Sequence, residues 1–207
     1  GWAHNCTFKD ITVRNSDFTT DDCNSGAVVG FAEGCTFVNI KVENCESTAY
    51  DGHAGGVVGR SDTCTINNVK ILDSYIKTDG KIVGGIAGDM YGSHVTNCTI
   101  DDRTCVFADG SGSTACAGGI TGHTEASEIH DCINSALIAA DAGAVGGIAG
   151  SALEESDDGT IIENCLNTGM LLSITKDNIY DYYIKYKNKQ LTCVTKSYNG
   201  KEYVVRK

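Results

Sequence analysis

Apolar positions along this chain come in short bursts broken by Gly, Asn, Asp and Thr, and the bursts repeat. One phrase, Gly-Gly-Ile-Ala-Gly, ends at Gly88 and again at Gly150, with variants ending at Gly30, Gly59 and Gly122. A second, Cys-Thr-Phe or Cys-Thr-Ile, begins at Cys6, Cys35, Cys64 and Cys98, with degenerate copies at Cys132 and Cys165. The two phrases keep step, since residues 6–30, 35–59, 64–88 and 98–122 are each 25 residues long. A period of this kind marks a stacked repeat. Within the unit, apolar residues stand at the third (Phe8, Phe37, Ile66, Ile100), sixth (Ile11, Ile40, Val69) and eighth (Val13, Val42, Ile71) positions. Spacings of two belong to one face of an extended chain, so the Cys phrase opens two short strands that share an inward face. Helical periodicity is absent from residues 1–173.

The glycine phrase reads as a third strand in which one branched side chain sits between two glycines, a filling suited to closely approaching walls. Three strands per turn describe a coil of a parallel β-helix. Six Cys-phrase rungs at about 4.8 Å each would make a prism on the order of 25–30 Å long, and parallel crossovers set a right-handed coil as the expectation. The spacers 31–34, 60–63, 89–97, 123–131 and 151–164 lengthen along the chain, which places insertions in the bend after the glycine phrase. The unit from Cys132 reaches Gly150 in 19 residues, which predicts a trimmed bend and an intact coil. Seven Leu in the whole chain are too few for a leucine-rich repeat.

The glycine phrase, together with Asn97-Cys98, Asp131-Cys132 and Asn164-Cys165, resembles the GLUG-motif repeats of bacterial surface proteins over roughly residues 6–170. Such repeats occur in cell-wall-attached proteins, including adhesin-like proteins and the non-catalytic region of some immunoglobulin A1-specific metallopeptidases. The resemblance implies an extracellular repeat module and no catalytic residue.

After Met170 the texture changes. Ile179 to Tyr186, Gln190 to Ser197 and Glu202 to Arg206 read as strands, and Tyr198-Asn199-Gly200-Lys201 is a two-residue hairpin signal. The domain reading is therefore a β-helix over 1–173 and an antiparallel β-meander over 174–207 that caps the last open edge or begins a following module. Six of the nine Tyr fall in 180–203, in keeping with rings packed on the solenoid end.

Charge divides along the same line. Residues 1–173 carry 8 Lys and Arg against 24 Asp and Glu, a balance of −16, while 174–207 carry 8 against 3, a balance of +5. An acidic body excludes nucleic acid as partner, because phosphate neutralisation needs a basic surface. No apolar run approaches the length of a membrane span, so no membrane insertion is expected. Pro is absent, as suits strands that need every amide for ladders on both sides. With no signal peptide and a first residue already inside a coil, the chain reads as a module of a longer one.

The six phrase cysteines are expected to stack as one interior ladder of buried thiols. Parallel in-register side chains fit disulfide geometry poorly. Cys105 and Cys116, flanking the Asp109-Gly110-Ser111-Gly112-Ser113 bend, are the candidate covalent pair. Asn15, Asn44 and Asp73 share the tenth position and predict an amide ladder at a bend.

Chemistry was sought in the acids and histidines. Asp21-Asp22, Asp101-Asp102 and Asp157-Asp158 are adjacent in sequence, so in strands their side chains diverge; Arg103 is placed in a strand position beside one pair. Calcium could be held at the Asp109 bend or at Glu154-Glu155-Ser156-Asp157-Asp158-Gly159, though neither has the terminal bidentate Glu of an EF-hand loop. His123 and His130 share a spacer with Glu125, Glu128 and Asp131; His4, His53 and His94 lie in other bends. No phosphate loop is present.

The sequence thus predicts an all-β protein, a right-handed parallel β-helix with an antiparallel cap, with no catalytic residue, cofactor or metal assigned. The function it points to is a non-enzymatic, cell-surface-attached extracellular module acting as adhesive surface or rigid stalk, whose partner is a host or cell-surface protein or a glycan. Alternatives are a carbohydrate-active β-helix enzyme and an accessory exosite of a surface protease.

Overall fold

The computed structural model describes residues 1–80, 82–110, 115–141, 143–153 and 159–174, and the backbone of 193–198 and 201–206. Among these residues there is no helix, and every strand pairing up to residue 174 is parallel. The chain winds as a β-solenoid of about six coils. Each coil has four faces. In the second coil these are Thr36–Glu43 (face I), Glu46–Ala49 (face II), Ala54–Gly55 (face III) and Val58–Asp62 (face IV). Faces II and IV carry six strands each, face III five and face I nine.

The fourth face corrects the reading of the glycine phrase as a single strand. The phrase is a corner: Ile82–Gly84 ends on face III, Gly85 and Ile86 bend, and Ala87–Tyr91 opens face IV. A Cβ at Gly84 would collide with the carbonyl oxygen of Ala87 across the bend, and one at Gly85 with the carbonyl oxygen of Gly119 in the next coil. Two consecutive glycines are therefore required by two different neighbours. Ile86, fully buried between them, fills the interior at the corner.

Face I also departs from two separate strands in the early coils. Thr7–Arg14, Thr36–Glu43 and Thr65–Leu72 are each continuous and eight residues long. Each is kinked in the middle by a residue with positive φ, at Asp10, Asn39 and Asn68. The kink shifts the parity, which is why Phe37, Ile40 and Val42, at intervals of three and then two, all point inward. Two further columns of positive φ turn the corners. Asn5, Gly34, Thr63, Gly92 and Ala126 lie between faces IV and I, and Asn15, Asn44 and Asp73 between faces I and II. The predicted amide ladder at the last corner is present, with Asn44 Nδ2 donating to Asn15 Oδ1 at 2.9 Å. A second runs along the kink, from Asn68 to Asn39 and from Asn39 to Asp10, both at 2.7 Å.

The six cysteines form two ladders, not one. Cys35 and Cys64 are rung neighbours as expected, with Cys35 N–H donating to Cys64 Sγ at 3.4 Å. Beyond Cys64 the register brings Thr65 opposite His94 and Lys70 opposite Thr99. The neighbour of Cys64 is thus Ser93, whose Oγ accepts from Cys64 N at 3.0 Å, and Cys98 stacks on Val69. Cys98, Cys132 and Cys165 continue the column of Ile11, Ile40 and Val69.

The 25-residue interval survives this slip through a compensation. Cys98 starts five residues later in its coil than Cys64 does, and the same coil gains five residues before its glycine phrase. One lies between Ile100 and Cys105 and four between Ala108 and Cys116, relative to the preceding coil. Spacers 89–97 and 123–131 are accordingly strand and not insertion: they hold His94–Thr96 and Glu128–His130. The Cys132 unit is short because two residues are lost between Asn134 and Leu137, one more than had been added there, and the four added before the glycine phrase are lost again between Ala140 and Ala144, with its coil intact.

Cys193–Tyr198 and Lys201–Arg206 pair antiparallel with Tyr198 opposite Lys201, the hairpin expected at Asn199-Gly200. The strand expected over 179–186 lies outside the described residues.

A β-branched residue at positive φ is disfavoured by contact of its Cβ with the backbone, by roughly 1–2 kcal/mol. Thr63 sits at φ 52° in a column that elsewhere uses Gly34 and Gly92. Thr63→Gly is therefore expected to raise unfolding free energy by about 1 kcal/mol in denaturant titrations. Unchanged or lower stability would contradict the corner geometry.

Candidate functional site: the outer surface of face IV

Inward side chains are consumed by packing, so chemistry belongs to the outward columns. On face IV one column runs Trp2, Phe31, Arg60, Asp89, His123 and Ser151, one residue per coil. The parallel register places each side chain above the last at the rung spacing.

Asp89 is the centre of this column. His123 donates from Nδ1 to Asp89 Oδ1 at 2.8 Å, Arg60 Nε lies 3.8 Å from Oδ2, and His53, from the bend before face III, places Nε2 3.9 Å from Oδ2. Arg60 is itself held by Asp62, Nε to Oδ1 at 3.1 Å and Nη2 to Oδ2 at 3.3 Å. Burial pushes the Asp89 pKa up, but the His123 hydrogen bond and the His53, His123 and Arg60 charges outweigh it, and the net direction is down. Burial holds the His53 pKa below its ordinary value, against the pull of Asp89.

The arrangement orients an imidazole, since a carboxylate that accepts from Nδ1 fixes the tautomer and makes Nε2 the acceptor nitrogen. Ser151 is the next rung. Interior ladder amides of the sheet already donate to the neighbouring coil, so they offer no oxyanion site.

The other sequence-selected groups serve the backbone or each other. Arg103 is in a turn and not in a strand, because the Cys98 phrase occupies a different corner from the Cys64 phrase. It lies 3.5 Å from Asp73 and 3.6 Å from Asp101. Asp101 builds that turn: its Oδ1 accepts from Thr104 Oγ1 at 2.7 Å and from Asp73 N at 3.0 Å. Asp102 is exposed in the same turn, and Asp21 and Asp22 are exposed in a bend. Asp109 sits 3.2 Å from Lys77 Nζ. Residues 111–114 and 154–158, including Asp157 and Asp158, lie outside the described residues.

His123 and His130 do not converge, for they stand on faces IV and I. His130 lies 3.4 Å from Glu128 and 3.7 Å from Glu163, His94 3.1 Å from Glu128, and His4 3.4 Å from Glu33. Among the described residues no group of three His, Cys, Asp or Glu is arranged to hold a metal ion. The Asp89 cluster was not singled out from the sequence, although Arg60, Asp89 and His123 directly follow the glycine phrases ending at Gly59, Gly88 and Gly122 and stand opposite one another in the register.

The thiols are positioned by the same corners. Each cysteine after a positive-φ residue folds back to donate to the carbonyl two residues earlier: Cys35 to Glu33 and Cys64 to Asp62 at 3.3 Å, Cys98 to Thr96 at 3.2 Å. Ser93 and Ser127 make the same bond, to Tyr91 at 3.1 Å and Glu125 at 2.8 Å. The cysteines therefore act as weak hydrogen-bonding groups as well as small apolar ones. Burial raises the Cys64 pKa to about 11. The Cys132 thiol and burial together push Cys98 well up. Cys105 is a free, fully enclosed thiol, so the candidate Cys105–Cys116 bridge is not formed.

No family model and no curated protein matches the chain. Among solved structures, a Bacteroides ovatus protein named "putative immunoglobulin A1 protease" aligns with 94% of this chain and 75% of its own, at 18% identity and a TM-score of 0.44.

Two measurements check this surface. Cys6 and Cys23 are exposed, whereas Cys35, Cys64, Cys98 and Cys105 are buried. A native thiol reagent at pH 8 should modify the first two quickly and spare the other four, because enclosure keeps the reagent out and, at Cys64, Cys98 and Cys105, a raised pKa also removes thiolate. Fast labelling of Cys64 would mean that the ladder is open. The second concerns pH. A histidine whose folded pKa lies below its unfolded value of about 6.5 stabilises the fold above that pH and loses this contribution as the pH falls. His53→Gln should flatten the fall in melting temperature between pH 7 and 5. An unchanged slope would show that His53 is not held neutral.

Proposed function

We propose that this chain is a non-catalytic extracellular module of a bacterial surface protein, of the GLUG-repeat kind, that presents its outer faces for adhesion or spaces other domains as a rigid stalk. The observation that carries the reading is the continuity of the four parallel faces from coil to coil. Outward side chains stand in straight columns, and the ionisable groups at Asp89, Glu128 and Asp101 are tied to partners in neighbouring coils or in their own turn. Catalytic carboxylates and bases instead aim at a common point on a substrate. A solenoid whose coils hold one another through the interior leaves its surface free to vary, which suits recognition.

The test uses the whole chain with neutral and acidic polysaccharides, with and without calcium. Neither new reducing ends nor unsaturated products should form. Cleavage that is lost in Asp89→Asn or His123→Gln would overturn the reading in favour of a carbohydrate-active enzyme.

A further inference from the structure

The outward side of face II changes character along the solenoid. In the first two coils its positions hold Asp17, Thr19, Glu46 and Thr48; in the fourth and fifth the same positions hold Cys105, Phe107, Leu137 and Ala139. These four point away from the interior, because the residues alternating with them, Val106 and Ile138, are the ones packed in the core. Yet Cys105 and Leu137 are 0% exposed and Phe107 is 4% exposed. They form clusters separate from the core, completed by Tyr75 and Leu172 from the same columns and by Met170 beside the last strand. Column neighbours cover the flanks of an outward side chain and not its outer end, so a further layer lies over this part of the face.

The open end of the solenoid behaves in the opposite way. Ile162 and Leu171 continue inward columns, opposite Ile129 and Ile138, and are 39% and 42% exposed. In the same coil the outward Met170 is buried and the outward Leu172 is half-buried. The usual order of burial is inverted there. The cover therefore sits on the side of the last coils and not across their end.

We propose that residues 175–192 of this chain are that cover, lying on the outer surface of face II over the fourth to sixth coils in place of the end cap that the sequence suggested. The segment starts at this surface, since Ile174 ends the last strand of face II. Its 18 residues could reach about 60 Å at roughly 3.3 Å each, whereas the three rungs from Leu172 back to Lys77 span only about 14 Å. Its composition matches the surface: read as an extended chain, it places Tyr180, Tyr182, Ile184 and Tyr186 on one side. Charge matches as well. The segment holds four Lys against two Asp and meets a body with a balance of −16, in which Asp109 and Asp141 stand two residues beyond Phe107 and Ala139. The polar outward residues of the first two coils then mark where the cover stops. The proposal holds whether the other faces bind or only space.

Cys105 reports on the cover, because its thiol lies beneath it and burial pushes its pKa up. Tyr182→Asp combined with Ile184→Asp in the full chain puts carboxylates on the apolar side of the segment. Modification of Cys105 by a thiol reagent, read by peptide mass, should then accelerate about tenfold or more through local opening. Cys35 and Cys64, enclosed by the coils themselves, should stay protected. A Cys105 as slow as in the parent would overturn the proposal. A second measurement decides the case in which all three thiols open together because the variant unfolds. With p-benzoyl-phenylalanine in place of Tyr182, irradiation of the otherwise unaltered chain should give crosslinks within the same chain to peptides holding 105–108 or 137–141. Crosslinks to Ile148, Ile162 or Leu166 at the open end, a product of twice the chain mass, or no crosslink to the solenoid at all would overturn it in favour of an end cap, a second copy or a foreign partner.

Discussion

The structure depends on a backbone constraint at its corners: the chain must turn inside one rung without leaving the plane of its ladder. It does so with single residues of positive φ. Among the described residues twelve such positions are not glycine, and ten of those are Asn or Asp. Those two side chains tolerate the left-handed region because a short carbonyl group can bond locally or to its own copy one coil away. The ladders from Asn68 to Asp10 and from Asn44 to Asn15 are that second option made continuous. A corner residue is thus a turn former within its coil and a link between coils.

The residue after the corner inherits a fixed geometry. Its side chain points into the solenoid and passes close to the carbonyl two residues back, so a small side chain with a weak or strong donor is favoured. Cys and Ser alternate there for this reason: Cys6, Cys35, Cys64, Ser93 and Ser127 in one column, Ser16, Cys45 and Ser74 in another. In the middle of face I, the residue after the kink is Ile or Val in early coils and Cys in later ones. At Cys6, Cys35, Cys45 and Cys64 the thiol is therefore a consequence of corner geometry and not of covalent cross-linking.

This explains what was legible in the amino-acid sequence. The parallel solenoid, the rung pairing of Cys35 with Cys64, the intact short coil after Cys132 and the Asn199-Gly200 hairpin could all be read, since each depends on a local phrase or on spacing between identical phrases. The register beyond Cys64 could not. A left-handed residue followed by Cys-Thr-Ile describes the corner at Thr63 and the kink at Asn97 equally well, because both impose the same backbone on a short segment. Five residues lost at the start of the unit and five gained inside it hid the slip. Misplacing Arg103 followed directly. The glycine phrase is ambiguous for another reason: small-large-small alternation fits a strand as well as a corner, and here both glycines answer close approaches at a bend.

Inside and outside obey different rules in such a fold. An inward position is constrained by its copies above and below, so substitutions there stay within a narrow set of sizes and donors. An outward position touches only its column neighbours, and face IV shows how freely such a column can vary: Trp2, Phe31, Arg60, Asp89, His123 and Ser151 share one backbone environment and almost no chemistry. Aromatic rings at one end and a closed Asp–His–Arg network farther along divide the face into a part with apolar surface to offer and a part whose charges are already matched. Desolvating a matched network returns little to a ligand, because its hydrogen bonds are made before the ligand arrives. The ion-pair cluster therefore serves to hold neighbouring coils in register on this face.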